Sequence, residues 1–228
     1  MKKLIFAVAY GLCILPSFSM APKINWEKAI DKEVAKHGAQ YESHLIALFK
    51  KQNVSYPPKK ISFLAFKKER KIELWAQETE ESWSHIHDYP LTAFSGKLGP
   101  KLKENDYQIP EGIYKLVSFN PFSSMHLSMM INYPNAYDRF IAKKERRKKL
   151  GNNIFLHGKA ESVGCLAVGN KAIDQLFLLV RRVGLQNTTV IIAPNDLRKG
   201  NAATNMKRQP RWVSHLYAKI TKALKAYS

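Results

Sequence analysis

Short apolar runs broken by turn residues fill the middle of this chain, and they limit its fold more than any other feature. Residues 61–66 and 71–76 have strand-like character and flank a charged turn at 67–70, which predicts a hairpin. Further strands are predicted at 84–89, 92–95, 113–118 and 126–131. Gly96, Gly99, Pro100, Pro110, Gly112, Pro121 and Pro134 punctuate the intervals. So little helix between so many strands implies a mostly β protein, an antiparallel sandwich or barrel.

Helical signals flank that region. Trp26, Ile30, Val34, Tyr41, Leu45, Leu48 and Phe49 repeat at helical spacing, with an interruption near Gly38 and a stop before Pro57 and Pro58. They read as an N-terminal packing arm over 20–58. Asn170 is placed to cap a helix whose face is Ile173, Leu176, Phe177 and Val180, ended by Gly184. Residues 188–193 form a continuous apolar strand, hence a buried one. Over 201–228, Trp212, Leu216, Ile220 and Leu224 recur on a basic amphipathic helix, expected to dock on the domain, with a membrane surface as the alternative.

At the N-terminus, Lys2 and Lys3 precede an apolar run over 4–15 and small residues around Ser17 and Ser19. This describes an export signal over 1–19, too short to be a comfortable membrane span. The protein is therefore expected to be periplasmic or secreted, with no transmembrane segment once the signal is removed. Of the 2 cysteines, Cys13 would leave with the signal, so Cys165 has no partner for a disulfide. Without Lys2 and Lys3, 35 Lys+Arg remain against 18 acids, a net charge of +17. Such a charge favours polyanions. An exported protein seldom meets nucleic acid, so anionic envelope polymers are the expected partners. The dense run 143–149 reads as a solvated loop.

Cys165 follows Gly164, with His157 eight residues earlier. A thiol with an imidazole within loop reach is the minimum for thiolate nucleophilic catalysis, the base generating the thiolate that attacks a carbonyl. Gly164 would let the chain turn so that successive N–H groups face a developing oxyanion. A cysteine after glycine also serves as a small buried hydrophobe, and a histidine ending a strand as a structural residue. In the strand 126–131, His126, Ser128 and Met130 would share one face and could line a cleft. His85 and His87 alternate with Ile86, but no third ligand follows at motif spacing, so no metal is expected. No cofactor is called for.

Five blocks in order carry a family resemblance: 66–74, 94–104, 109–114, 133–139 and 157–165. Together they resemble the L,D-transpeptidase catalytic domain (YkuD-type) family, and within it a YafK-like periplasmic branch, with the catalytic domain over 59–200. The resemblance implies a β-sandwich or barrel-like domain with a thiol nucleophile in a cleft, acting on peptidoglycan stem peptides. It makes Cys165 the nucleophile, His157 the base, Ser162 the motif's hydroxyl residue and Gly164 the glycine before the nucleophile. The carbonyl of Gly158 would orient the histidine. Tyr133, Asn135, Tyr137 and Asp138 fall in a turn that the family keeps near its site, and they become candidate substrate contacts or an ordinary turn. Val163 stands where the family commonly has histidine, and Ala167 where it often has arginine or asparagine. The interval between base and nucleophile is also short. These departures favour water over an amine acceptor, so hydrolysis or release of an amide-linked partner is expected over cross-linking. Ordinary transpeptidation is the alternative, and a non-catalytic cationic envelope-binding protein is the reading from another class.

Overall fold

The computed structural model describes residues 25–77 and 82–227, so the expected export signal and its cleavage point lie outside the described residues. Eight strands make one sheet in the order β3-β2-β1-β8-β4-β5-β6-β7. In chain order these are β1 (Lys60–Phe66), β2 (Lys71–Gln77), β3 (Trp83–Pro90), β4 (Gly112–Asn120), β5 (Ser128–Ile131), β6 (Phe155–His157), β7 (Leu166–Ala167) and β8 (Thr188–Ala193). The helices are α1 (Trp26–Lys51), α2 (Ala136–Lys144), α3 (Asn170–Val183) and α4 (Val213–Leu224). The strand-rich core with terminal helices matches the expected class. The sheet is mixed, however: β1 runs parallel to β8, and β6 parallel to β7.

The predicted hairpin is present, with Ile61 opposite Ala76 and Phe66 opposite Lys71. β1 is buried from Ile61 to Phe66 because both faces of the sheet are covered there. On one side Phe63, Ala65, Val190 and Ile192 pack with Leu176, Phe177 and Val180 of α3 and with Phe49 of α1. On the other, Leu64, Phe66, Ile191 and Ala193 meet Val213, Leu216, Tyr217 and Ile220 of α4. The C-terminal helix therefore docks on the domain with its apolar face covered. No described helix is long and apolar enough to cross a membrane.

Several local expectations are corrected. α1 is a single helix running through Gly38, capped by the Asn25 side chain on the Lys28 N–H. The segment 92–95 is not a strand and contributes only a bridge from Ala93 to Ala167. Asn170 is the first residue of α3 and not its cap; its Oδ1 accepts from the Lys159 N–H at 2.8 Å. The run 143–149 is only partly solvated, since it ends α2 and Arg147 donates to the Leu102 carbonyl at 2.7 Å.

Lys67, in the expected charged turn, is fully buried against Glu111 at 2.9 Å. Its ammonium also donates to the carbonyls of Gly99 (2.8 Å) and Ile109 (2.9 Å). Glu111 accepts from the Gly99 N–H (2.8 Å) and from Tyr217 Oη of α4 (2.6 Å). Burial pulls the Lys67 ammonium below the usual lysine range, and the Glu111 carboxylate opposes this. The pair pins the loop between Gly99 and Ile109 against the end of β1.

Candidate active site

A cleft of about 260 Å³ is lined by Ser123, Met125, Ser128, Phe155, His157, Ser162, Val163 and Cys165, among others. Strand register brings its reactive pair together. Leu156 lies opposite Leu166 and His157 opposite Ala167, which sets Phe155 level with Cys165. The Phe155 N–H donates to Cys165 Sγ at 3.4 Å. Phe155 and His157 project to the same face of β6, so imidazole and thiol share the cleft.

The turn carrying Cys165 is held by two serines. Ser162 Oγ donates to the Cys165 carbonyl at 2.8 Å and lies 3.0 Å from Ser95 Oγ. The Gly164 N–H donates to Ser95 Oγ at 2.7 Å. Gly164 has φ +107°, and a Cβ there would approach the Gln108 carbonyl to 3.0 Å, so this position demands glycine. Because Ser95 takes the Gly164 N–H, that N–H is not free to hold an oxyanion, contrary to the expectation from sequence. Ser95 and Gln108 were missed in the sequence. The available signal was a serine beside Gly96 within one of the five resembling blocks.

His157 is buried, with Nδ1 2.6 Å from the Gly158 carbonyl. A carbonyl can only accept, so this bond puts the proton on Nδ1 and leaves Nε2 as the basic atom. Gly158 is closely packed too, since a Cβ would lie 2.8 Å from both Asn170 Oδ1 and the Met125 carbonyl. Burial pulls the imidazole below its ordinary pKa, against the Gly158 carbonyl and the charge of Glu161. Burial pushes the Cys165 thiol up, against the Phe155 N–H and the Lys101 charge. Burial thus disfavours the charged form of both groups that share the cleft.

The other candidates divide. Ser128 is buried and lines the cleft, and Val163 is 67% exposed at its rim. Ala167 is fully buried and cannot shape that rim. His126 does not share a strand face with Ser128. It precedes β5 with φ 76° and lies 2.6 Å from Asp174 of α3. Tyr133 is buried and donates to the Leu150 carbonyl at 3.1 Å. Asn135 and Asp138 form the capping box of α2. With Tyr137 they line a separate cavity beside α4, of about 120 Å³. Those four residues build structure, not the cleft. His85 is paired with Asp88 at 2.7 Å, and His87 packs against Tyr89.

Burial raises the Asp138 carboxyl to about 6, partly offset by the Asn135 N–H. A carboxyl raised in the folded state contributes stability below its unfolded pKa, and that contribution is lost as pH climbs through about 6. Asp138→Asn should remove a term of order 3 kcal/mol from the difference in urea stability between pH about 4 and about 7. An unchanged difference in the variant would refute the assignment.

Residues 64–192 match the L,D-transpeptidase catalytic domain family, YkuD, a span that contains every residue of the cleft. YafK of Escherichia coli (strain K12) is 33% identical over 117 residues, covering 50% of this chain and 45% of that protein. YafK of Escherichia coli O157:H7 gives the same figures. The chain thus spans about half the length of the curated relatives it matches. Among solved structures, the helical cell shape determining protein Pgp2 from Campylobacter jejuni is 17% identical with a TM-score of 0.49, covering 73% of this chain and 56% of that one. Bd1075 of Bdellovibrio bacteriovorus is 23% identical with a TM-score of 0.44, covering 75% and 56%. On the family match across 64–192, the chain belongs to the L,D-transpeptidase catalytic domain family.

Proposed function

We propose that this protein is an exported thiol acyltransferase, acting in the periplasm or after secretion on peptidoglycan stem peptides through a Cys165 acyl-enzyme. One observation carries the reading. A buried His157, its Nδ1 tied to the Gly158 carbonyl, lines the same cleft as Cys165. In the first step Nε2 takes the Sγ proton as sulfur attacks a stem-peptide carbonyl. The oxyanion accepts from the Cys165 N–H, an interaction typically worth a few kcal/mol. The tetrahedral intermediate then expels the amine, which takes the proton back from His157, and a thioester remains. Water or a second amine resolves it. A groove of about 620 Å³ lined by Lys97, Lys103, Arg147, Lys148, Lys149 and Arg208 supports attraction of other anionic envelope polymers.

The acylation rate should rise with pH through a limb below the usual imidazole range, because burial depresses His157. His157→Ala should abolish that limb and slow acylation by about 10²–10⁴-fold, with His126→Ala far less affected. Stopped-flow acylation by a carbapenem, a thiol-acylating mimic of the stem, measures both. A His126→Ala enzyme slower than His157→Ala would reverse the roles.

Water is favoured over an amine acceptor. The apolar, exposed Val163 at the rim offers little to hold a second peptide in an attacking pose, and positioning is what lets an amine outcompete water. With a tetrapeptide donor and excess amine acceptor, mass spectrometry should find mainly hydrolysed donor. Predominant transfer product would restore ordinary transpeptidation. A non-catalytic envelope-binding protein would form no carbapenem adduct at Cys165.

A further inference from the structure

Behind the cleft, three side chains distant in sequence meet. His37 lies in the middle of α1, His126 just before β5, and Asp174 in the first turns of α3. One ligand atom from each lies within 4.8 Å of the others. His37 is 3% exposed, and neither of its ring nitrogens has a hydrogen-bond partner among the described residues. A buried polar group left this way costs about 1–3 kcal/mol, so an unmet imidazole facing a carboxylate points to a missing partner. Its Nδ1 is 3.4 Å from Asp174 Oδ2, and the other Asp174 oxygen is 2.6 Å from His126 Nε2.

We propose that His37, Asp174 and His126 form a divalent transition-metal site, with Zn²⁺ as the fitting ion. Two imidazoles and a carboxylate are a recurring zinc donor set. With zinc bonds of about 2.0–2.2 Å, ligand atoms stand roughly 3.3–3.5 Å apart around a tetrahedral ion. The three ligand atoms stand within 4.8 Å of one another, so no pair need close by more than about 1.5 Å. Whichever Asp174 oxygen binds, its present contact, 3.4 Å to His37 or 2.6 Å to His126, moves by under about 1 Å. The fourth position opens toward solvent beside His126, whose side chain is 29% exposed, and takes water.

Glu33, one helical turn before His37, has a carboxylate oxygen 3.3 Å from His37 Nε2. A small rotation lets Nε2–H donate to it, which leaves Nδ1 for the metal. Carboxylates orient zinc-bound histidines in this way. The backbone gives independent support: His126 adopts φ 76°, a left-handed conformation that costs a non-glycine residue energy and aims its ring at Asp174. Such an ion would fasten the N-terminal helix to α3 and to the cleft wall, because Ser123, Ser124 and Met125, just before His126, line the cleft.

The test is calorimetric titration of the chelator-stripped full chain with Zn²⁺, and with Co²⁺ read by its visible absorption. One Zn²⁺ per chain, a tetrahedral Co²⁺ band and a rise in melting temperature with Zn²⁺ are expected. The same stoichiometry should persist in Cys165→Ala, which excludes binding by the thiol. His37→Gln and Asp174→Asn should each weaken Zn²⁺ binding at least tenfold, and Glu33→Gln by about 10–100-fold. Circular dichroism and carbapenem acylation establish that each variant is folded. Failure of the wild-type chain to bind Zn²⁺ more tightly than about 10 μM, near 7 kcal/mol, would overturn the proposal. So would stoichiometric binding that survives in the His37→Gln/His126→Ala double variant.

Discussion

Cys165→Ala is expected to abolish turnover of tetrapeptide-bearing peptidoglycan fragments while leaving the fold intact. Among the described residues Cys165 is the only free thiol, and it shares the cleft with His157. Removing the nucleophile of a covalent mechanism typically costs four or more orders of magnitude. The structural cost is small by comparison. The substitution removes two weak sulfur contacts, the Phe155 N–H to Sγ and the S–H to the Asn153 carbonyl, each worth about 1 kcal/mol or less, and keeps the backbone that Ser162 holds. Chromatography of digested fragments with circular dichroism alongside separates the two effects. A folded variant that still turns over fragments above the enzyme-free control would remove Cys165 from the chemistry.

The largest stability effect is expected from the buried pair of Lys67 and Glu111. Lys67→Met leaves the Glu111 carboxylate without its cation in a fully enclosed site, with only Gly99 and Tyr217 donating to it. Breaking such a pair on one side typically costs 3–5 kcal/mol, or roughly 6–20 °C in melting temperature for a chain of this size. Adding Glu111→Gln to Lys67→Met should recover part of the loss, because no unpaired charge then remains buried. Thermal denaturation of the two single variants and the double variant gives the coupling. A loss under about 1 kcal/mol for Lys67→Met would mean that the pair contributes little.

Whatever follows from side-chain period was legible in the sequence. The hairpin, the strand at Thr188–Ala193, the end of α3 at Gly184 and the apolar face of α4 all match, because alternation and helical spacing report which face is covered. The parallel pairing of β1 with β8 was not legible, since period carries no information about which distant strand lies alongside. The reactive pair could be read because His157 and Cys165 are close in sequence and fall in an ordered set of blocks. The burial of Lys67 was not legible for the opposite reason: its partner Glu111 is 44 residues away, and the charged turn gives no sign of that pairing. Ser95 escaped notice because it acts through a single hydrogen bond to a backbone N–H 69 residues later. The 133–138 segment resembled a substrate loop, yet Asn135 and Asp138 are taken up by the capping of α2 and Tyr133 by the Leu150 carbonyl.

The bond from Tyr217 to Glu111 ties the cleft to the order of synthesis. Every residue lining the cleft lies between Asn120 and Cys165, so it has left the ribosome well before α4. The loop behind Gly164 nevertheless rests on a carboxylate that gains one of its donors only from residue 217. A chain that has emerged only as far as Cys165 thus still lacks one donor to the carboxylate that holds the Gly99 end of that loop. The support of the cleft is completed by a late helix that does not line it.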